Sequence, residues 1–237
     1  SIPTELAEVA RTLNDMLARL EDSFRRLSDF SSDLAHELRT PVSNLLTQTQ
    51  VTLARTRTAG EYREVLASNA EEFERLSRMI ADMLFLARAD NDLVNQRMPE
   101  RAPVDLRAEA ESLIEFYETL AEENDVALSL RGQAIAPGDR LMLRRAMSNL
   151  LSNALRHTPR GGHIEICLSP PPEIPGRAIV SVANTGPTIP PEHLPHLFDR
   201  FYRADPSRKR EAEGSGLGLA ITRSIMRAHG GEVTARS

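Results

Sequence analysis

The sequence predicts a multidomain protein of class α plus α/β: a helical-hairpin dimerisation domain forming a four-helix bundle on dimerisation, then an α/β sandwich. Three observations carry this. Leu6, Ala10, Leu13, Leu17, Leu20, Phe24, Leu27, Ser31, Leu34, Leu38, Pro41 and Leu45 follow one another in alternating steps of four and three, which is a heptad seam. A second seam, Tyr62, Leu66, Asn69, Phe73, Leu76, Ile80, Met83 and Ala87, starts after a break at 58–60. Beyond residue 102 the texture changes to helix-length and strand-length segments in alternation.

Ten of the twelve positions in the first seam are apolar and not proline, so it reads as one long helix. It is expected to bend near Pro41, where the ring removes a backbone hydrogen bond. The short break and second seam make an antiparallel partner helix. A lone hairpin leaves much of its apolar stripe in water; a second copy covers it, which predicts a homodimer.

Residues 95–101 are polar and proline-flanked, a linker. After it come a helix over 106–123, a strand over 126–131 and a helix over 140–156. Strands over 163–168 and 178–183 flank a proline-rich turn at 169–175. A charged stretch, 203–215, leads into a helix over 217–229 that Gly230 and Gly231 stop, and a further strand is expected to begin near Glu232.

The chain has 237 residues, 41% of them apolar, enough for two modest cores. Its 29 basic and 34 acidic residues give a net charge of −5, which argues against direct nucleic-acid binding. The lone Cys167 forms no internal disulfide, as suits a reducing compartment. No run approaches the ~20 apolar residues of a membrane span. Beginning at Ser1 in mid-pattern, the chain reads as a fragment whose membrane contact would lie in upstream segments.

With Leu34 at d and Leu38 at a, His36 falls at f, the heptad position farthest from the seam. Glu37 is its neighbour and Thr40 sits one turn on. An exposed imidazole beside a carboxylate suits nucleophilic acceptance of a phosphoryl group: one ring nitrogen attacks while the carboxylate holds the other. Zinc ligation would need a ligand at i+4, where Thr40 stands.

In the 140–156 helix, Asn149 and Asn153 project from one face, followed by Arg156 and His157. Amide oxygens suit Mg²⁺ and arginine suits phosphate. Residues 184–188 read NTGPT at a strand end, and 197–203 read LFDRFYR, with Arg200 inside. Arg208, Lys209 and Arg210 form the densest positive cluster, ahead of the glycine turn GSGLGL at 214–219. Glycines at a helix N-terminus let the backbone approach phosphates. His157, His163, His193, His196 and Cys167 lack the spacing of a metal site.

The stretch 30–41, FSSDLAHELRTP, resembles the phosphoacceptor box of the largest class of sensor histidine kinases. That resemblance implies that His36 is phosphorylated, that Glu37 assists its deprotonation and that Thr40 positions the water for dephosphorylating a partner response regulator. The helix bearing Asn149 and Asn153 resembles the N box of the same kinases and of the heat-shock-90 and gyrase-type ATPases. Asn153 would hold Mg²⁺, Asn149 would lie beside the phosphates, and Arg156 and His157 would line the nucleotide. Residues 197–203 resemble the F box, at the base of a lid over 204–213, with Arg200 and Arg208 toward phosphate. The turn containing Gly214, Gly216, Leu217 and Gly218 resembles a glycine box. ATP and Mg²⁺ are the implied cofactors and a receiver domain the implied partner.

The chain departs from the family where Asn184 replaces the usual Asp of Asp-x-Gly-x-Gly, Gly186 being retained, and where Thr188 replaces the last glycine. A charged hydrogen bond contributes ~1.5–3 kcal/mol against ~1 for a neutral one, so Asn184 is expected to weaken adenine binding roughly tenfold. Asn184, PEHLP at 191–195 and MLFLA at 83–87 look most like the heavy-metal (copper or silver) sensor subgroup. The implied organisation is a signalling-module exit helix over 1–27, a dimerisation and phosphotransfer domain over 28–94, a linker over 95–101 and an ATP-binding domain over 102–237. That domain lacks the family's third glycine box and reads as C-terminally truncated. The expected setting is the cytoplasmic portion of a bacterial inner-membrane protein. The alternative is an ATP-independent dimeric scaffold that docks a regulator.

Overall fold

The structure, a computed structural model, describes residues 4–94, 101–170, 177–204 and 215–237. It divides into two compact units, Ser1–Ile80 and Ala81–Ser237.

In the first unit, helix α1 (Thr4–Leu53) runs unbroken through Pro41 and reverses through residues 54–58 into α2 (Ala59–Val94). The start of α2 is a capping box. The Glu61 carboxylate accepts from the Thr58 N–H at 2.8 Å, and Thr58 Oγ1 accepts from the Glu61 N–H at 3.3 Å. The Thr58 N–H and then the Thr58 hydroxyl, at 3.0 Å, donate to the Glu61 carboxylate and hold it below the usual carboxylate range. On α1 the expected seam positions Pro41 and Leu45 are buried; on α2 Asn69 and Leu76 of the expected seam are buried, but so is Met79, which lies off it. Leu66, Phe73 and Ile80 occupy the other seam positions and are 66%, 60% and 43% exposed, alongside exposed Val42 and Leu46 on α1.

The second unit is the α/β domain. Strand β1 (Ala102–Asp105) precedes α3 (Leu106–Glu123), β2 (Ala127–Gly132), β3 (Ile135–Gly138) and α4 (Arg140–His157). Then come β4 (His163–Ser169), β5 (Ile179–Asn184), a 3₁₀ turn (Leu194–His196) and α5 (Gly218–Ala228). A three-stranded sheet has the order β2-β4-β5, β2 parallel and β5 antiparallel to β4. Alternate residues of β4 (Ile164, Ile166 and Leu168) are buried, which is the period of a sheet with one covered face. They pack in one core with Leu106, Ala110 and Leu113 of α3 and Leu143, Met147, Leu151 and Leu155 of α4. Full burial of a Leu or Ile is worth about 2 kcal/mol each. Asp105 caps α3 by accepting from the Arg107 and Ala108 N–H groups, and Asp139 caps α4 by accepting from that of Met142. Glu109, only 3% exposed, accepts from Arg140 at 2.5 Å and Arg144 at 3.1 Å, tying α3 to α4.

Two features depart from expectation. β1 and β3 form their own two-stranded sheet, where no strands were read. Residues 231–237 carry no strand, although one was expected from Glu232; Ser237 Oγ accepts from the Ile189 N–H at 2.6 Å. The two compact units meet inside α2, between Ile80 and Ala81. In the second unit Arg145 of α4 donates to Asp82 at 2.5 Å and lies 4.3 Å from the Phe85 ring centre, so the last turns of α2 belong with α4.

Candidate phosphoacceptor and nucleotide site

His36 lies in α1 with its side chain exposed, as the f position requires. Glu37 is half-buried and Thr40 exposed one turn on. Leu34 and Leu38, on the seam to either side, are half-buried. The α1 heptad thus presents the imidazole outward with a carboxylate adjacent in sequence.

The second unit gathers the remaining candidates around the C-terminal half of α4 and the N-terminus of α5. Asn149 Nδ2 donates to the Gly218 carbonyl at 3.1 Å, and Thr222 Oγ1 donates to the same oxygen at 3.0 Å. The Asn149 bond sets the first turn of α5 against α4, while the Thr222 bond lies within α5. Leu217, fully buried, anchors that turn in the core. Asn153 is half-buried one turn beyond Asn149, and none of the described residues hydrogen-bonds its amide. Its donor chemistry, a neutral oxygen one helical turn from Asn149, fits a hard divalent cation such as Mg²⁺.

At the end of β5, exposed Asn184 donates through Nδ2 to the Thr185 carbonyl at 3.0 Å, which leaves Oδ1 as its acceptor. Thr185 Oγ1 accepts from the His163 N–H at 2.9 Å and pins the turn to β4. Gly186 then passes so close to the end of α4 that a Cβ there would lie 3.0 Å from the His157 carbonyl oxygen. Asn184 and Gly186 are thereby brought to Arg156 and His157, both exposed. Farther on, the Phe201 N–H donates to the Gly216 carbonyl at 3.0 Å, joining the turn that carries half-buried Arg200 to the glycine turn. The end of β5 and the N-terminus of α5 thus both meet α4, and the Arg200 turn joins them through Gly216.

Two family models match the chain. The His Kinase A (phospho-acceptor) domain matches residues 26–92. The histidine kinase-, DNA gyrase B- and HSP90-like ATPase matches residues 138–237. The chain belongs to the sensor histidine kinases.

Among relatives of this kinase chain, sensor histidine kinase CusS of Escherichia coli strain K12 is 49% identical over 239 residues, covering 100% of this chain and 48% of CusS. Probable sensor protein PcoS of Escherichia coli is 50% identical over 233 residues, 98% of this chain and 49% of PcoS. The chain therefore spans about half the length of the curated relatives it matches. Histidine kinase AdeS of Acinetobacter baumannii shares the fold at 22% identity, with a TM-score of 0.63 over 81% of this chain and 86% of its own. Full-length ShkA in complex with AMPPNP is 26% identical, with a TM-score of 0.58 over 85% of this chain and 41% of ShkA. Histidine kinase ThkA in complex with response regulator protein TrrA has a TM-score of 0.66 at 20% identity, over 100% of this chain and 64% of that one.

Of the kinase motif residues read from sequence, Asn149, Asn153, Arg156, His157, Asn184, Gly186, Arg200, Gly216, Leu217 and Gly218 all lie in the second unit, and His36, Glu37 and Thr40 in the first. Arg208 and Gly214 lie outside the described residues. Three of the four histidines weighed for metal are hydrogen-bonded within the fold. His193 Nδ1 shares a 2.6 Å bond with the Tyr202 hydroxyl, His196 Nδ1 donates to Asp199 at 3.0 Å, and His163 Nε2 meets Ser129 Oγ at 3.0 Å.

Sequence reasoning missed Asp199. Its second oxygen accepts from Arg223 of α5 at 3.1 Å. The bond from His196, followed by that from Arg223, holds the Asp199 carboxyl below its ordinary range. The i, i+3 spacing of His196 and Asp199 was a visible signal; the Arg223 contact spans 24 residues and had none.

Proposed function

We propose that the chain is the catalytic portion of an ATP-dependent protein-histidine kinase that autophosphorylates His36 and passes the phosphoryl group to an aspartate of a receiver domain. The observation that carries this is an exposed His36 beside Glu37, in one chain with an α4 whose Asn149 is bonded to the glycine turn of α5.

In this mechanism ATP lies along α4. Asn184 Oδ1 accepts a hydrogen bond from the adenine amino group, while Asn149, Arg156, His157, Arg200, Arg208 and the Gly214, Gly216, Leu217 and Gly218 turn serve to bind nucleotide and phosphates. Mg²⁺, when bound, offsets charge on the phosphate oxygens, and Asn153 would hold it. A His36 ring nitrogen attacks the γ-phosphorus in line, the bond to the β-bridging oxygen breaks, and ADP leaves. Glu37 takes the proton of the other ring nitrogen as positive charge develops. The receiver aspartate then displaces His36 from phosphorus. Thr40 orients water for the reverse duty, dephosphorylation of the regulator. The complexes of ShkA with AMPPNP and of ThkA with TrrA support the nucleotide and the partner.

The exposed stripe Leu66, Phe73 and Ile80 supports a homodimer in which a second hairpin completes four helices. Residues 1–27 act as the exit helix of a membrane-proximal module, 28–94 as dimerisation and phosphotransfer domain, 95–101 as linker and 102–237 as ATP-binding domain. The stimulus is a heavy-metal ion sensed by segments outside this chain, which works as the cytoplasmic portion of a bacterial inner-membrane protein. Incubation with γ-labelled ATP and Mg²⁺ tests the reading. Acid-labile label on the wild type that is absent from His36→Gln is expected; a folded wild type that takes no label overturns it.

A further inference from the structure

Residues 199–202 contain a strained link held on both sides. Phe201 has φ +60°, a left-handed conformation that an aromatic residue rarely adopts. Such strain persists only where the surroundings over-determine it. Two residues before it, Asp199 is held by His196 and Arg223. One residue after it, the Tyr202 hydroxyl is bonded to His193, and the Tyr202 ring lies 5.4 Å from that of His196.

The same short turn grips α5 at two points. Its backbone holds Gly216 just ahead of the helix, through the Phe201 N–H, and its carboxylate holds Arg223 inside the helix. Between those points lie Leu217 and Gly218, and the Gly218 carbonyl is the acceptor for Asn149 of α4. The height of the α5 N-terminus beside Asn149 is therefore set from two directions, by α4 and by the turn at Asp199.

We infer that Asp199 is a positioning residue for nucleotide binding: by pairing with Arg223 it fixes the phosphate-facing turn of α5 relative to Asn149. The inference rests on the kinase reading above. Asp199 touches no reacting atom; it acts through α5. Without its charge, Arg223 loses its anchor, the Phe201 turn can relax, and the N–H groups at the start of α5 no longer hold one place for phosphate oxygens.

The test uses the full chain, with Asp199→Asn, Arg223→Gln, the double variant and Arg223→Lys, measuring ATP dependence of His36 labelling. Each single variant is expected to raise the KM for ATP by about tenfold, the loss of one charge-assisted contact, with kcat at saturating ATP within about twofold. The double variant should be no worse than the worse single, since both remove one interaction, and Arg223→Lys should recover most of the loss. A merely structural role would lower the active fraction, and hence kcat, leaving KM in place. Unchanged KM in both singles, or fully additive effects, overturns the inference. A wild type that takes no label sinks the kinase reading instead.

Discussion

Phe201 and Gly216 meet backbone to backbone: the Phe201 N–H donates to the Gly216 carbonyl at 3.0 Å, and a Cβ on Gly216 would sit 2.8 Å from Phe201 Cα. Gly216 itself has φ +69°. Two independent reasons, conformation and space, therefore require glycine there, and neither involves a ligand. Gly218 is different. A Cβ there would find only Asn149 atoms at 3.6 Å or more, an ordinary contact, in the first turn of a helix that favours alanine.

The two glycines should separate in experiment. Gly216→Ala is expected to destabilise the domain by about 1–3 kcal/mol and to lose nucleotide binding with it. Gly218→Ala should leave the melting temperature unchanged or slightly raised, yet weaken ATP binding because the methyl group stands where phosphate approaches. Calorimetry and nucleotide titration on both variants check this; a Gly218→Ala protein with wild-type affinity would remove Gly218 from the site.

This contrast shows what was legible in the sequence. The heptads announced the hairpin and the phase of His36, because helical burial repeats locally along the chain. The glycine turn and paired asparagines were visible as short strings. β1 and β3 were not: each has four residues, and Pro103 faces Pro137 across the pair, so each is a strand only because the other lies beside it. Asp199 escaped for the same reason, its partner on α5 being distant in sequence. The left-handed Phe201 has no local signature either, since its conformation is imposed by the contacts around it.

Asn69 offers a stability test in the hairpin. It occupies a seam position between Leu66 and Phe73, is buried, and its Oδ1 has no hydrogen-bond partner among the described residues. A buried, unsatisfied acceptor costs about 1–3 kcal/mol. Asn69→Leu, close in shape, is expected to stabilise the hairpin by about that amount and to leave the exposure of His36 unaltered. Chemical denaturation of the two proteins decides it; a destabilised variant would mean that the amide is satisfied in solution, for example by a second copy.

The ion pair at Asp199 gives an acid dependence with a definite sign. Its carboxyl titrates below the ordinary range because His196 and then Arg223 favour the charged form. A depressed value in the folded state means the stabilising contribution is complete above the unfolded value of about 3.9. It is lost as pH falls through the lower folded value. The melting-temperature gap between wild type and Asp199→Asn should therefore stay constant from neutral pH down to about 4 and close below it. Because both side chains are partly exposed, the gap should also shrink in high salt. A gap that persists at the acid extreme would assign the effect to shape rather than charge.

Asn184 carries a prediction in which two effects oppose. Its Nδ2 donates to the Thr185 carbonyl, which leaves Oδ1 to accept from an adenine amino group. Asn184→Asp places a charged acceptor at that position, and a charged hydrogen bond exceeds a neutral one by about 1 kcal/mol, somewhat under tenfold in affinity. The same substitution removes the donor to Thr185 and sets a carboxylate oxygen against its carbonyl. Asn184 is exposed, so solvent limits that penalty. ATP should bind about five- to tenfold more tightly to the variant, while the melting temperature falls slightly as the turn beside His163 loosens. Inosine triphosphate, which presents a carbonyl in place of the adenine amino group, should lose rather than gain affinity. Parallel titrations with the two nucleotides make the comparison direct: equal tightening for both would show that a hydrogen bond to the adenine amino group is not what position 184 supplies.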